Sequence, residues 1–335
     1  MITVLVHELN QTPMRRLISS AGHLLPLLRM ETYQSVFRRL NFPAGTLVFT
    51  DFEYLNGMEM MAAADIAEAA KRADPDARIL NHPATVLERF ALLRRLRIRG
   101  INPVEVSRLE QDERPTRYPV FIRMEDGFWG PETKLLENPR QLEEAIAVLQ
   151  GNAKPMKRRI AVSFEADRDS NGYYRKYGAF RIGDAIVSQH ILRSVDWNVK
   201  SSASSTDPDF VREELAFVKD NPHAEDLLRA CNTGHIQFGR VDYTLRDGAL
   251  VIFEVNPNPT FPKFKGGAAA REERRGHIIA ALKVAFEAID SSGTGRIDFL
   301  PSAGSYQFIQ SGRWIWPVRW LWRTRMARRR KMQSQ

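Results

Sequence analysis

The residues with the clearest chemical potential lie in two apolar segments joined by a short turn. The first segment contains Asp242, and the second contains Glu254, twelve positions later, and Asn256. An antiparallel hairpin brings the ends of such segments together, and strand alternation places Glu254 and Asn256 on one face. Two carboxylates and an amide oxygen suit Mg²⁺, which completes its coordination with phosphate and water. The spacing therefore predicts a magnesium site.

The same residues have a second interpretation. Asp242 could lie at a solvated strand end and pair with Arg240 or Arg246, without any metal. Against this, Glu254 lies within the apolar run 251–255, where a buried carboxylate is costly without a cation. The composition of the strand favours the cation site.

Alternating strands and helices occupy the first hundred residues. The expected elements are strands at 2–6, 46–50 and 77–80 and helices at 58–72 and 84–99. Strands that alternate with helices pack into a parallel sheet covered by those helices. We therefore predict a small α/β domain at the N-terminus.

Paired strands dominate the second half. An apolar strand at 119–124 runs into a loop with Gly127 and Gly130, and two strands turn at Gly183 before the carboxylate hairpin. These patterns predict antiparallel sheets. The expected domains are an N-terminal α/β domain at 1–112, a glycine-loop subdomain at 113–195, a metal-binding subdomain at 196–292 and a tail at 293–335.

The stretch from Arg240 to Pro259 resembles the metal-binding end of the ATP-grasp superfamily, to which glutathione synthetase and D-alanine-D-alanine ligase belong. The order of parts over residues 1–290 is similar as well. The resemblance implies an α/β fold that is α+β in its ATP-binding half, with ATP and Mg²⁺ as cofactors. It implies an enzyme that activates a small-molecule or peptide carboxylate as an acyl phosphate for capture by an amine or thiol.

The resemblance also implies residue roles. Asp242, Glu254 and Asn256 would hold one or two Mg²⁺ ions. Arg123 stands where the family usually has a phosphate-binding lysine, and an arginine can grip two phosphate oxygens. The expected ATP contacts are Arg123, Gly127, Gly130, Lys134, Glu165, Lys176 and Arg181. Lys176 and Arg181 are the expected catalytic residues, and Arg175, Lys200 and Asn258 the expected substrate contacts.

Two other functions fit the sequence. Arg123 in place of lysine is compatible with an ATP-binding module without ligase turnover, recruited to a membrane by its tail. A phosphotransferase that phosphorylates its substrate without ligation is the third candidate. P-loop and Rossmann sites are not favoured, because their glycine motifs are missing from the sequence.

Composition places the chain among globular proteins. Of 335 residues, 43% are hydrophobic and 27% charged, and the single cysteine, Cys231, excludes an internal disulfide. The formal charge is +9, but eight basic residues from Arg313 onward leave +1 for residues 1–312. Because residues 1–312 are almost neutral, this part of the chain does not favour nucleic acid as a partner. We expect a cytoplasmic protein without a signal peptide or membrane span, and the sequence specifies no oligomeric state.

The C-terminal tail interleaves tryptophan with arginine. Residues 313–331 could form a basic amphipathic helix at an anionic membrane, stack on single-stranded bases, or dock on the protein itself. The pattern is compatible with an anionic membrane surface as a partner, reached peripherally from the cytoplasmic side, and leaves the other two interpretations open.

Overall fold

The computed structural model describes residues 1–22, 25–127, 130–200, 207–262, 269–291 and 293–309. The strands are β1 (Ile2–Val6), β2 (Leu28–Thr32), β3 (Asn41–Pro43), β4 (Thr46–Phe49), β5 (Ile79–Leu80), β6 (Val106–Arg108), β7 (Val120–Met124), β8 (Arg159–Ser163), β9 (Tyr174–Ile182), β10 (Ala185–Ser194), β11 (Phe238–Arg246), β12 (Ala249–Asn256) and β13 (Arg296–Asp298). The helices are α1 (Thr12–Ala21), α2 (Tyr33–Arg39), α3 (Gly57–Ala73), α4 (Arg89–Ile98), α5 (Pro139–Gly151), α6 (Pro208–Asp220), α7 (Ala224–Thr233) and α8 (Glu272–Ile289).

The chain divides into two compact units. Unit 1 comprises Met1–Arg15, Leu27–Ala84 and the described residues from Asp290 onward. Unit 2 comprises Arg16–Pro26 and Thr85–Ile289. Residues 85–112, which the sequence assigns to the first domain, lie in unit 2, and the finer division of that unit stays a prediction.

Unit 1 is built on a parallel sheet with the strand order β2-β1-β4-β5. Every residue of the central strand β1 is buried. A strand that is buried on both faces needs apolar residues at nearly every position, and Ile2–Val6 has them at all positions but one. The parallel sheet predicted from the sequence is confirmed.

A buried carboxylate lies at the carboxyl end of β4. Asp51 accepts hydrogen bonds from the backbone amide of His7 (2.7 Å) and from the side chain of Asn10 (2.9 Å). Burial raises the pKa of Asp51 to about 7, although these two hydrogen bonds oppose the rise. The folded protein therefore holds the Asp51 proton more tightly than the unfolded chain does.

This raised pKa predicts a pH-dependent stability. The contribution of Asp51 is fully present below its ordinary pKa of 3.8 and is lost as pH rises through about 7. We expect the free energy of unfolding to fall between about pH 4 and pH 7, by at most about 1.4 kcal/mol per pH unit from this group. Chemical denaturation across that range should show a flatter profile for Asp51→Asn. The exposed Asp76→Asn variant is the control, and equal slopes in all three proteins would contradict the assignment.

Unit 2 contains two antiparallel sheets, one ordered β10-β9-β11-β12 and the other β6-β8-β7. Helix α5 covers one face of the smaller sheet, where Leu142 packs near Ile122. The opposite face contributes Phe121 to a cluster with Phe90 of α4 and Val251 of β12. The alternation of β7 thus directs Val120 and Ile122 to the helix, and Phe121 and Arg123 the other way.

Helices α6, α7 and α8 pack against β10 of the larger sheet. Tyr177 and Tyr243, from neighbouring strands, stack with ring centroids 5.4 Å apart, and the Tyr243 hydroxyl lies 2.9 Å from Nδ1 of His223. Phe217 of α6 packs edge-on against Tyr177. This face is therefore occupied largely by structural side chains, whereas Lys176 of β9 and Asp242 of β11 lie on the other face.

The mixed α/β fold class, with a parallel sheet followed by antiparallel sheets, is confirmed. Within the described part of the chain, no helix is both long and apolar enough to cross a membrane. Of the predicted tail at 293–335, the basic stretch 313–331 lies outside the described residues.

Candidate functional site

A cavity of ≈ 360 Å³ lies in unit 2 and is lined by residues of both antiparallel sheets. This volume falls within the range of small-molecule sites. Its lining has an aromatic group, made of Phe121, Phe164, Tyr174, Trp197 and Phe253. It also has a charged group, made of Arg89, Arg123, Arg175, Lys176, Arg240, Asp242 and Glu254. The cavity can therefore hold a ligand with a flat apolar part and a charged part.

The three predicted metal ligands lie together on the wall of this cavity. Asp242 of β11 pairs directly with Glu254 of β12, and Arg240 pairs with Asn256 in the same way. Residues two apart on a strand share a face, so all four side chains lie on one face of the larger sheet. The hairpin geometry deduced from the sequence is what brings the two carboxylates together.

A β-bulge alters the hairpin next to these carboxylates. Asp242 pairs with Glu254, but Tyr243 pairs with Ile252, so Phe253 has no partner on β11. As a result Phe253 and Glu254 both line the cavity although they are consecutive. The bulge thus supplies one aromatic and one charged side chain to the site from adjacent positions.

Asp242 is held by two basic side chains. It accepts hydrogen bonds from Nε (2.8 Å) and Nη2 (3.2 Å) of Arg240, and Nζ of Lys176 lies 3.5 Å away. The pairing with Arg240 that the sequence offered as an alternative is therefore present. The strand end is not solvated, however, because Asp242 is only 5% exposed.

Glu254 is held by two further arginines. Its Oε2 lies 2.7 Å from Nη2 of Arg89 and 3.2 Å from Nη2 of Arg123. Burial alone would raise the pKa of Glu254, but the positive charges of Arg89 and Arg123 outweigh burial and lower it. Glu254 is therefore ionised at neutral pH, as a metal ligand must be.

The donor set fits a hard divalent cation that arrives with a polyanion. Five basic residues and two carboxylates line the cavity, an excess of three positive charges. Within the described residues, no cluster of three or more His, Cys, Asp or Glu side chains could hold a metal by itself. Asp242, Glu254 and Asn256 would supply some of the metal ligands, and phosphate oxygens would supply others. The negative charge of the phosphates would also balance the positive charge of the arginines that now pair with the carboxylates.

The other predicted site residues divide into two groups. Arg123, Gly130, Arg175 and Lys176 line the cavity. Gly130 has a φ of +85°, a conformation that favours glycine. The residues that do not line this cavity are Gly127, Lys134, Glu165, Arg181, Lys200 and Asn258. Their proposed contacts with ATP or substrate stay predictions.

Arg181 and Glu165 have protein partners. Strand alternation puts Arg181 on the opposite face of β9 from Lys176, where it is 2% exposed and its Nε donates to the carbonyl of Gly183 (2.9 Å). Glu165 accepts from Arg117 (3.0 Å) and Arg246 (2.7 Å). Both side chains would have to exchange these partners to reach a ligand.

Two residues of this region were missed from the sequence. Arg89 begins helix α4, far from the hairpin in the chain, and nothing in its local pattern marks it. His190 lies in register with Gly178, which itself pairs with Asp242. A Cβ at position 178 would lie 2.8 Å from Nε2 of His190, so only glycine leaves room for that ring.

The His190 ring is uncharged. Burial, helped by the charges of Arg240 and Lys176, lowers the pKa of His190 to about 3. Its Nε2 has no hydrogen-bond partner among the described residues. A pairing of glycine with histidine across two strands could have signalled this contact, had the register been known.

Comparison with known proteins gives structural matches only. No protein-family model matches the chain, and no curated protein matches it. It is similar to a solved RimK domain ATP-grasp protein from Sphaerobacter thermophilus, with 14% identity, a TM-score of 0.47, and coverage of 85% of this chain and 97% of the other. A D-alanine–D-alanine ligase from Bacillus anthracis complexed with ATP is 11% identical, with a TM-score of 0.44 and coverage of 86% and 99%.

A third match is the ATP-grasp ligase PsnB, complexed with a phosphomimetic variant of a minimal precursor, Mg and ADP. It is 13% identical, with a TM-score of 0.48 and coverage of 86% of this chain and 96% of the other. Two of these descriptions carry the name of the family that the hairpin motif resembles. The residue assignments below rest on the cavity itself.

Proposed function

We propose that unit 2 binds ATP with a divalent cation in this cavity, and that the chain is an ATP-dependent ligase of the ATP-grasp type. The observation that supports ATP binding is the lining, where an aromatic group lies beside an excess of positive charge. A nucleobase needs the first and a triphosphate needs the second. The ligase chemistry is supported by the resemblance of the hairpin motif to that family.

The side chains of the cavity have distinct roles in this proposal. Trp197, together with Phe121 and Phe164 that pack on it with centroids 5.2 and 5.4 Å away, would contact the base. Arg123 and Lys176 would neutralise the phosphate oxygens and orient the γ-phosphoryl group. Asp242, Glu254 and Asn256 would hold Mg²⁺, which would supply neutralisation of phosphate charge when it is bound.

The proposed reaction has two steps. A carboxylate oxygen of the substrate attacks the γ-phosphorus and ADP leaves, which gives an acyl phosphate. An amine then attacks the acyl carbon, and phosphate leaves with that carboxylate oxygen. The protein contributes position and positive charge rather than a covalent intermediate.

Oxygen transfer tests this proposal directly. The protein is incubated with Mg-ATP, a pool of ¹⁸O-labelled carboxylates and a pool of amines, and the inorganic phosphate and new amides are analysed by mass spectrometry. We expect ADP, an amide product and one ¹⁸O atom in the phosphate. A stable phosphorylated product without ¹⁸O in phosphate would support phosphotransfer instead, and failure to bind Mg-ATP would reject the nucleotide site.

A binding module without turnover is the second candidate. It is favoured by one observation, namely that Glu254 is already held by Arg89 and Arg123. Tight Mg-ATP binding without ADP formation, with every carboxylate and amine supplied, would support it. Recruitment to an anionic membrane by residues 313–331 stays a prediction from the sequence.

A further inference from the structure

Arg89 connects the loop after β7 to the carboxylate hairpin. Its Nη1 donates to the carbonyl oxygens of Glu125 (2.5 Å), Gly127 (3.1 Å) and Met124 (3.2 Å). Its Nη2 donates to Oε2 of Glu254 (2.7 Å). One guanidinium therefore joins the last carbonyl of β7 and two carbonyls of the loop that follows to a proposed metal ligand.

Arg123 shares two of these acceptors but holds them less closely. Its Nη2 lies 3.2 Å from the carbonyl oxygen of Gly127 and 3.2 Å from Oε2 of Glu254. Both oxygens keep a hydrogen bond from Arg89 if Arg123 moves. The single charge of Glu254 also offsets only one of the two guanidinium groups, so the pair has one positive charge in excess.

The two arginines therefore differ in what they can give to a ligand. Arg123 can turn to a phosphate without leaving any protein oxygen unpaired. Arg89 cannot, because both of its terminal nitrogens are used and its departure would leave the carbonyl of Glu125 without its donor. Leaving a buried polar group without its hydrogen-bond partner is unfavourable, so the loop keeps Arg89 in place.

We propose that Arg89 is a positioning residue of the nucleotide site. It holds the loop after β7 and Glu254 in one arrangement, and so leaves Arg123 available for phosphate. This inference rests on the proposed ATP site for its effect on binding, but the coupling of loop and hairpin exists without nucleotide. Arg89 acts through the loop and through Glu254, and touches neither phosphate nor substrate.

Two kinds of measurement test the proposal on the full chain. Hydrogen exchange without nucleotide reports the order of residues 120–127 and 250–256. Calorimetric titration with the Mg complex of adenylyl imidodiphosphate, a non-hydrolysable ATP analogue, reports affinity. The variants are Arg89→Ala, Arg89→Lys and, as control on the same helix, Arg94→Ala, whose side chain is 55% exposed and pairs with Glu113.

We expect Arg89→Ala to speed exchange of the loop amides by about tenfold or more, because local opening becomes easier. Nucleotide affinity should fall by about tenfold, which corresponds to about 1.4 kcal/mol. Arg89→Lys should recover part of both effects, since it keeps the charge but cannot reach all four acceptors. Arg94→Ala should behave as wild type.

Two results would overturn the inference. One is unchanged loop exchange in a folded Arg89→Ala protein. The other is nucleotide affinity in Arg89→Ala within about twofold of wild type, which is below the loss of a single charged hydrogen bond. If wild type itself binds no nucleotide, the proposed function fails, whereas faster loop exchange in Arg89→Ala would still support the positioning role. If Arg89→Ala does not fold, Arg89→Lys decides by the same two measurements.

Discussion

Asp242→Asn and Glu254→Gln will lose turnover and yet bind metal-free ATP as well as wild type or better. Each substitution removes one negative charge from a cavity with an excess of positive charge, so the free polyanion is attracted more strongly. The same substitution removes a proposed metal oxygen, and we expect Mg-dependent ADP formation to fall by about 10²–10³-fold. Titration with ATP in the presence and absence of Mg²⁺, together with an ADP assay, measures both effects.

The opposite direction of the two effects distinguishes a site residue from a structural one. Asp247→Asn makes the same chemical change at the exposed turn of the same hairpin and should leave both quantities unchanged. Thermal unfolding of each variant checks that the hairpin is intact. Weaker metal-free binding together with normal turnover would show that the carboxylates do not hold a cation.

Arg123→Gln is expected to weaken ATP binding by about 10–100-fold, the equivalent of one or two charged hydrogen bonds. The loss should depend on the phosphates. Adenosine, which lacks them, should bind Arg123→Gln and wild type alike, because its contacts would be to the aromatic residues. Calorimetric titration with adenosine, AMP and ATP measures how the loss of affinity in Arg123→Gln depends on the number of phosphates.

Two further variants control this experiment. Arg140→Gln changes an arginine whose side chain is 82% exposed on α5, and should not alter any affinity. Arg123→Lys keeps a positive charge on β7 and should bind ATP within about tenfold of wild type, since it loses only the two-oxygen grip. Equal losses for adenosine and ATP in Arg123→Gln would mean that the substitution has disturbed the cavity as a whole.

Much of the fold follows from local patterns. The strand 2–6, helix α3 and the hairpin formed by β11 and β12 have strong periodicity and clear turn residues, and each lies where the sequence predicts. By contrast, β2 and β6 were missed. Leu28–Thr32 mixes apolar with charged residues and Val106–Arg108 has only three residues, so neither has the run of apolar residues that marks a strand.

The site was predictable where it depends on spacing, and not where it depends on packing. Asp242, Glu254 and Asn256 share a wall because alternation and a short turn require it. Arg89 reaches the same wall from a helix 165 positions away in the chain from Glu254, and no local pattern encodes such a distance. The ion pairs of Glu165 with Arg117 and Arg246 are equally non-local, so the assignment of Glu165 to ATP could be made only by resemblance.

The unpaired Phe253 shifts the alternation of side chains along β12 by one residue. Before the bulge, the odd-numbered Val251 faces the smaller sheet. After the bulge, the even-numbered Glu254 and Asn256 lie on that same face and line the cavity, because the extra residue shifts the alternation by one. Deleting that one residue would restore a regular ladder in which Ile252 still pairs with Tyr243 and Glu254 with Asp242, so Glu254 would stay on the cavity side and only Phe253 would be lost from it. A frame-preserving loss of a single codon would thus remove one aromatic side chain from the cavity and leave both carboxylates on the same face of the sheet.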